Sequence, residues 1–179
     1  MEIKRSLLCF VTVLFVVLLV SCNTKADSVK TKSYDGKPLH IAVIGKIPEV
    51  REKQVKFSKI QFSNLEKTAF DSNYDAVFIT RENLSEAAEA KYAPIYKKSH
   101  IPFFFIQTTK GNLPFVDESL SYKDAPEVDD GFYAIGIFYH EDHLQGWGYG
   151  LYNDIKNEAN VKDVYSRIFE TISKNSRAD

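Results

Sequence analysis

Leu-His-Ile-Ala-Val-Ile-Gly at residues 39–45 is a short apolar run that ends in glycine. A run of this length with little polar alternation predicts a strand that is buried on both faces. Two further runs have the same character, at residues 74–80 (Tyr-Asp-Ala-Val-Phe-Ile-Thr) and 101–107 (Ile-Pro-Phe-Phe-Phe-Ile-Gln). Together they predict the centre of a sheet that is covered on both sides.

Weaker patterns surround these three runs. Residues 55–62 and 132–139 predict two more strands, and residues 64–70 predict a short helix. Residues 108–130 show no clear period and predict a long loop, whereas residues 140–160 are ambiguous between strand and helix.

Two segments have helical spacing. Apolar side chains from Leu84 to Tyr96 fall on one helical face, where Pro94 predicts a kink or the start of a separate last turn. A clearer helix follows Asn160, its predicted cap. Its apolar residues are three or one positions apart: Val161, Val164, Tyr165, Ile168, Phe169 and Ile172.

Buried strands that alternate with amphipathic helices indicate an α/β domain. We expect residues 39–179 to form one such domain, because the length suits a single core. The predicted architecture is a small three-layer sandwich with a mostly parallel sheet of four or five strands, flavodoxin-like or Rossmann-like in outline.

The composition excludes several classes of protein. The chain has 179 residues, of which 44% are hydrophobic and 26% are charged, so intrinsic disorder is excluded. Lys and Arg number 23 against 24 Asp and Glu, a net charge of −1. A nucleic-acid partner that needs a basic face is therefore not expected.

The first 22 residues have the layout of a secretory signal. Lys4 and Arg5 precede the apolar run Leu7–Val20, and the small residue Ser21 follows it. As a helix this run would be about 21 Å long, shorter than the roughly 30 Å core of a bilayer. A permanent span is the weaker interpretation.

Leu19-Val20-Ser21-Cys22 resembles the lipobox of bacterial lipoproteins. The resemblance implies that residues 1–21 are a signal peptide, and that Cys22 becomes the acylated N-terminus. It also implies a location at the extracytoplasmic face of the cell membrane. Two acyl chains anchor a protein stably, whereas one holds it weakly. Cys22 and the polar stretch that follows, residues 22–38, then predict a lipidated cysteine and a flexible tether.

If the sheet is parallel, ligands should bind at the carboxyl ends of its strands. Polar residues follow the predicted strands at these ends, and they offer donors and cations for a small polar or anionic ligand. They are Lys46, Arg81, Gln107, Thr108, Lys110 and His140. A solvated loop after each strand would have a similar composition.

Two local motifs contain residues that could bind a metal or a cofactor. His140-Glu141-Asp142-His143 offers two imidazoles but no third ligand, so no metal site is predicted. Gly146-Trp147-Gly148-Tyr149-Gly150 lacks the dinucleotide spacing, and no cofactor is predicted. Trp147 is interpreted first as a plug at the end of the core, second as part of a recognition loop and third as part of a phosphate-binding loop. Because of the second interpretation, Trp147 joins the six polar residues as a candidate ligand-binding residue.

Three functions remain open. The first is a non-catalytic, lipid-anchored protein that binds a ligand or a protein partner outside the cytoplasm. The second is an envelope hydrolase with a dispersed site at the strand ends. The third is an accessory subunit of a membrane complex. Shifted titratable groups in one cleft would favour the enzyme, whereas a large exposed apolar patch would favour the subunit.

Overall fold

The computed structural model describes residues 27–68 and 70–175. The predicted signal peptide, the lipobox with Cys22 and the tether up to residue 26 lie outside the described residues. Within the described part, no helix has both the length and the apolarity needed to cross a membrane.

The described chain forms one six-stranded sheet. Its strands are β1 (Leu39–Ile44), β2 (Val55–Lys59), β3 (Ala76–Ile79), β4 (Phe103–Ile106), β5 (Phe132–His140) and β6 (His143–Gly150). They lie in the order β2-β1-β3-β4-β5-β6. The first four strands are parallel to one another, whereas β5 is antiparallel to both β4 and β6.

The prediction of a mostly parallel sheet of four or five strands, flavodoxin-like or Rossmann-like, was therefore wrong. The sheet is mixed and has a sixth strand. Only Glu141 and Asp142 separate β5 from β6, and a connection this short can join only antiparallel strands. Between β4 and β5 the chain returns along the neighbouring strand without a long crossover helix.

Five α-helices are found in the described residues. They are α1 (Phe62–Leu65), α2 (Leu84–Ala87), α3 (Ala93–Lys98), α4 (Leu113–Val116) and α5 (Glu158–Asn175). The predicted helix from Leu84 to Tyr96 is divided into α2 and α3, and Pro94 lies in the first turn of α3. Proline suits that position because its missing N–H has no partner there.

The two faces of the sheet bury separate cores. Leu39, Ile41 and Val43 of β1 pack in a cluster with the apolar side of α5. The alternate residues Ala42 and Ile44 pack with the short helices on the other face. This double burial explains why β1, β3 and β4 are almost continuously apolar in sequence.

Part of the predicted tether packs on the domain. We call residues 27–34 the strap. The backbone N–H of Val29 donates to Asn160 Oδ1 at 3.0 Å, and the Tyr34 side chain is 5% exposed within the α5 core. The folded unit thus begins before Leu39, and the strap contributes to its core.

Candidate functional site

A crevice lies where the parallel strands β1, β3 and β4 end. It consists of two adjoining cavities of about 460 and 480 Å³, which share Arg81, Gln107, Tyr133 and Lys156. The first cavity is also lined by Lys46 and by the first turns of α5. We use the name crevice for these two cavities together. Their size is within the range of small-molecule sites.

Where β1 and β3 end, the backbone at Gly45 packs closely against the Thr80 side chain and forms one wall of the crevice. Gly45 has φ +113°, and a Cβ at this position would lie 1.8 Å from Thr80 Oγ1. The Lys46 N–H donates to Thr80 Oγ1 at 3.2 Å and to Glu82 Oε1 at 3.1 Å. Only glycine at position 45 leaves room for this arrangement.

Glu82 is held in its ionised form by the same contacts. The Thr80 hydroxyl donates to Glu82 Oε1 at 2.7 Å. This hydrogen bond, together with the Lys46 N–H, lowers the pKa of Glu82 below its usual value. The Glu82 carboxylate is thus already engaged by the protein itself.

Gln107 lies at the centre of the crevice in an unusual backbone conformation. Its φ is +62°, in the left-handed region that few residues other than glycine, asparagine and aspartate adopt. Its Nε2 donates to Tyr133 Oη at 3.2 Å, and its Oε1 accepts from Lys156 Nζ at 3.0 Å. Such strained residues concentrate at functional sites.

Two tyrosines form the inner surface of the crevice. The rings of Tyr133 and Tyr165 meet edge to face, with centroids 6.4 Å apart. Burial raises the pKa of Tyr133 above its ordinary value and the pKa of Tyr165 far above it. Both hydroxyls therefore stay protonated near neutral pH and can donate hydrogen bonds.

The start of α5 closes the crevice on one side. Asn157 Oδ1 accepts the Asn160 N–H at 2.9 Å, so Asn157 and not Asn160 caps the helix. Glu158 in the first turn is paired with Lys162 four residues later. The first turns of this 18-residue helix, where the positive end of its dipole lies, line the same space.

Three cations of the crevice form no close ion pair among the described residues, although Lys46 interacts electrostatically with Glu82. Arg81 is exposed, and its guanidinium forms no hydrogen bond or ion pair there. Lys46 Nζ is similarly without an ion pair, and Lys156 Nζ contacts only the neutral Gln107 and the face of Tyr133. Of the acidic residues in the first cavity, Glu82 accepts from Thr80 and Glu158 pairs with Lys162, and Glu49 also lines the cavity.

The structure brings four of the predicted ligand-binding residues together. Lys46, Arg81 and Gln107 line the first cavity, and Thr108 lines the second with Arg81 and Gln107. Thr108 is only 3% exposed, and its hydroxyl is within 3.3 Å of Tyr122 Oη. It supports the loop after β4 more than it faces the crevice.

The other three predicted residues lie elsewhere. Lys110 Nζ donates to the Ala125 carbonyl at 2.8 Å and pairs with Glu127, so it holds the loop 108–130 together. His140 lies at the opposite edge of the sheet, because β5 is antiparallel and not parallel as expected. Trp147 lies on β6 and stacks on Phe104 at 6.2 Å, which places it against the core.

Four residues that line the crevice were not predicted from the sequence: Tyr133, Lys156, Lys162 and Tyr165. The helical spacing of α5 places Tyr165 on the buried face, and its position about two turns from the start of the helix brings it to the crevice. No group of three or more metal-ligating side chains occurs in residues 27–68 and 70–175.

Another cavity, of about 580 Å³, lies between α3 and residues 65–72. It contains none of the predicted residues, and its lining is mainly apolar. The crevice differs from it because cations, tyrosine hydroxyls and a helix start converge there.

Comparison with protein-family models, curated proteins and solved structures finds no match to this chain.

Proposed function

We propose that this chain is a lipid-anchored extracytoplasmic protein whose folded domain binds a small anionic ligand in the crevice. The observation that carries the proposal is Arg81. Its guanidinium is unpartnered among the described residues and lines both cavities of the crevice. A planar guanidinium suits a carboxylate or a phosphate because it can donate two parallel hydrogen bonds.

The neighbouring groups support an anionic ligand. Lys46 and Lys156 flank Arg81 in the first cavity, and the start of α5 adds the positive end of its dipole. Glu158 is paired with Lys162, and Glu82 accepts from the Thr80 hydroxyl while it also interacts electrostatically with Lys46. The tyrosine rings offer an apolar surface for the remainder of the ligand.

Binding fits the crevice better than acid–base catalysis. General acids and bases need a pKa near the working pH. In the crevice the pKa shifts lead away from neutral pH: the pKa values of Tyr133 and Tyr165 are raised, and that of Glu82 is lowered. These groups keep one protonation state at neutral pH and act as fixed donors and acceptors.

Calorimetric titration with glycerol phosphate and with acetate tests the ligand proposal. We expect the Arg81→Met variant to bind the preferred anion about 10-fold to 100-fold more weakly, since a hydrogen bond to a charged group contributes about 1.5–3 kcal/mol. Arg81→Lys keeps the charge and should lose less.

Lys53→Met is the matched control, because Lys53 is exposed and does not line the crevice. It should bind like the parent protein. Equal affinity of the Arg81→Met variant and the parent would refute the assignment. Absence of heat with either anion would refute the anionic ligand class.

The anchor is tested separately by Cys22→Ala. We expect this change to leave the protein without lipid, either uncleaved or released from the membrane. Fractionation and intact-mass measurement distinguish these products. If the variant remains wholly in the membrane with the mass of the parent protein, the apolar run Leu7–Val20 is the true anchor and the lipoprotein proposal fails.

A further inference from the structure

The strap runs along α5, beginning at the crevice end of the helix. The Asp27 carbonyl accepts from Asn157 Nδ2 at 2.6 Å and from Asn160 Nδ2 at 2.9 Å. Asn157 also lines the crevice. The upstream end of the strap is therefore fixed beside the crevice.

The strap is attached by buried polar groups. Asn160 is 0% exposed, and besides Asp27 its amide lies within 3.2 Å of the Tyr152 and Ile155 carbonyls. One turn further, the Thr31 hydroxyl donates to Asp163, which is 4% exposed. Buried polar side chains with several hydrogen bonds make this attachment specific.

Further contacts fix the downstream half of the strap. The Tyr34 N–H donates to the buried Glu52 at 3.1 Å. Arg51 donates to the Thr31 carbonyl at 3.2 Å and to Ser166 Oγ at 2.8 Å. The strap thus follows α5 from Asn157 to Ser166 in the same chain direction.

The attachment shortens the connection to the lipid. Five peptide steps join Cys22 to Asp27, and a chain of that length spans at most about 18 Å whatever its path. A free tether of residues 22–38 would have reached about 20–25 Å on average and more when extended. The crevice is therefore held next to the membrane that carries the acylated cysteine.

Resting on the proposed function, we propose that the anionic ligand of the crevice is the headgroup phosphate of an anionic phospholipid in the membrane that anchors the protein. Arg81, Lys46 and Lys156 bind the phosphate, and the strap sets the distance at which a headgroup can enter. A free phosphate ester has the same binding chemistry, so its affinity measures the crevice alone.

Competition in lipid nanodiscs distinguishes the two sources. The lipidated protein is placed in discs of phosphatidylcholine, with or without one-fifth phosphatidylglycerol, and titrated with glycerol phosphate. We expect phosphatidylglycerol to weaken the apparent affinity for glycerol phosphate about tenfold, because tethering holds the crevice at an effective headgroup concentration of millimolar or more.

A longer connection is the matched control. Inserting 40 Gly/Ser residues between positions 26 and 27 leaves the strap and the crevice unchanged. Effective concentration falls roughly as the −3/2 power of linker length, so the weakening by phosphatidylglycerol should fall from about tenfold to less than about twofold. Discs with oleate of equal charge test surface repulsion, and they should weaken binding much less than phosphatidylglycerol.

Two results would overturn the inference. One is equal affinity in all discs, and the other is equal weakening by oleate and phosphatidylglycerol. Either result counts against the inference only when glycerol phosphate binds to the protein in phosphatidylcholine discs. If it binds in none, the proposed anionic crevice fails instead, and intact-mass measurement of the lipidated protein tests the anchor independently.

Discussion

Gly45 is the residue on which the geometry of the crevice depends most. At φ +113° its missing side chain makes room for Thr80 Oγ1 and Asn83 Nδ2. We expect Gly45→Ala to lower the free energy of unfolding by at least about 3 kcal/mol, from backbone strain and the forced movement of Thr80. Urea denaturation measures this loss.

Gly111→Ala is the control for backbone strain alone. Its φ is +64°, but the nearest atom to a new Cβ is 3.5 Å away. The left-handed conformation should cost about 1–2 kcal/mol. Equal losses at Gly45 and Gly111 would show that the contact with Thr80 contributes nothing.

Glu82 gives the crevice a pH dependence. Its pKa is lowered first by the Thr80 hydroxyl and then by backbone N–H groups. A lowered folded-state pKa stabilises the protein above the ordinary pKa of glutamate, about 4, and this contribution disappears as the pH falls through the folded value. Glu82→Gln should therefore lower the Tm at pH 7.

The difference in Tm between Glu82→Gln and the parent should shrink as the pH falls below about 4, where the parent glutamate also becomes neutral. Thermal unfolding followed by circular dichroism at several pH values provides the curve. A constant difference from pH 7 to pH 3 would mean that the amide acts through packing and not through charge.

At the scale of elements, the strap and α5 form one unit joined by Asn160. Asn160→Ala would leave the Val29 N–H and three partly buried carbonyls without this partner. We expect a loss of about 2–4 kcal/mol, because each unsatisfied buried group costs about 1–3 kcal/mol and some will find water. Faster hydrogen exchange should be confined first to residues 27–34.

Glu170→Ala, at an exposed position of the same helix, is the control and should change stability by less than about 0.5 kcal/mol. If Asn160→Ala unfolds no more easily than this control, the strap is not held by Asn160, and the short distance to the membrane loses its basis.

The elements that were predictable are those with a strong local pattern. β1, β3 and β4 are continuous apolar runs because both of their faces are buried, and α5 repeats its apolar residues with helical spacing. β6 gave no such signal, because it is a glycine-rich edge strand whose side chains are mostly exposed. The burial of Tyr34 was not predicted, because a single buried side chain produces no periodic pattern in the sequence.

Strand direction limited how many residues of the site could be predicted from the sequence. Lys46, Arg81 and Gln107 were placed together because they follow parallel strands, which end at one edge of the sheet. His140 was placed with them by the same rule, but β5 is antiparallel. Whether a strand is parallel or antiparallel to its neighbour depends on how the connection before it packs. The residue pattern of the strand itself does not show this. Tyr133 reaches the crevice from the start of the antiparallel β5, and Lys156 lies in the connection between β6 and α5.

At the scale of the whole molecule, the crevice and the upstream end of the strap lie at the same end of the domain. The mixed sheet places the ends of β1, β3 and β4 beside the start of α5, and the strap begins at the same place. Ligand binding and membrane attachment would therefore occur at one end of the domain. His140 and the end of α5 lie at the other end.

The most direct test of the central claim is to map the ligand by amide chemical shifts while glycerol phosphate is added to the isotopically labelled protein. The account predicts that shifts concentrate at Lys46, Thr80 to Glu82, Gln107 and residues 157–162. They should disappear in the Arg81→Met variant. Shifts concentrated around His140 and Trp147, or no shifts at any concentration up to tens of millimolar, would contradict the account.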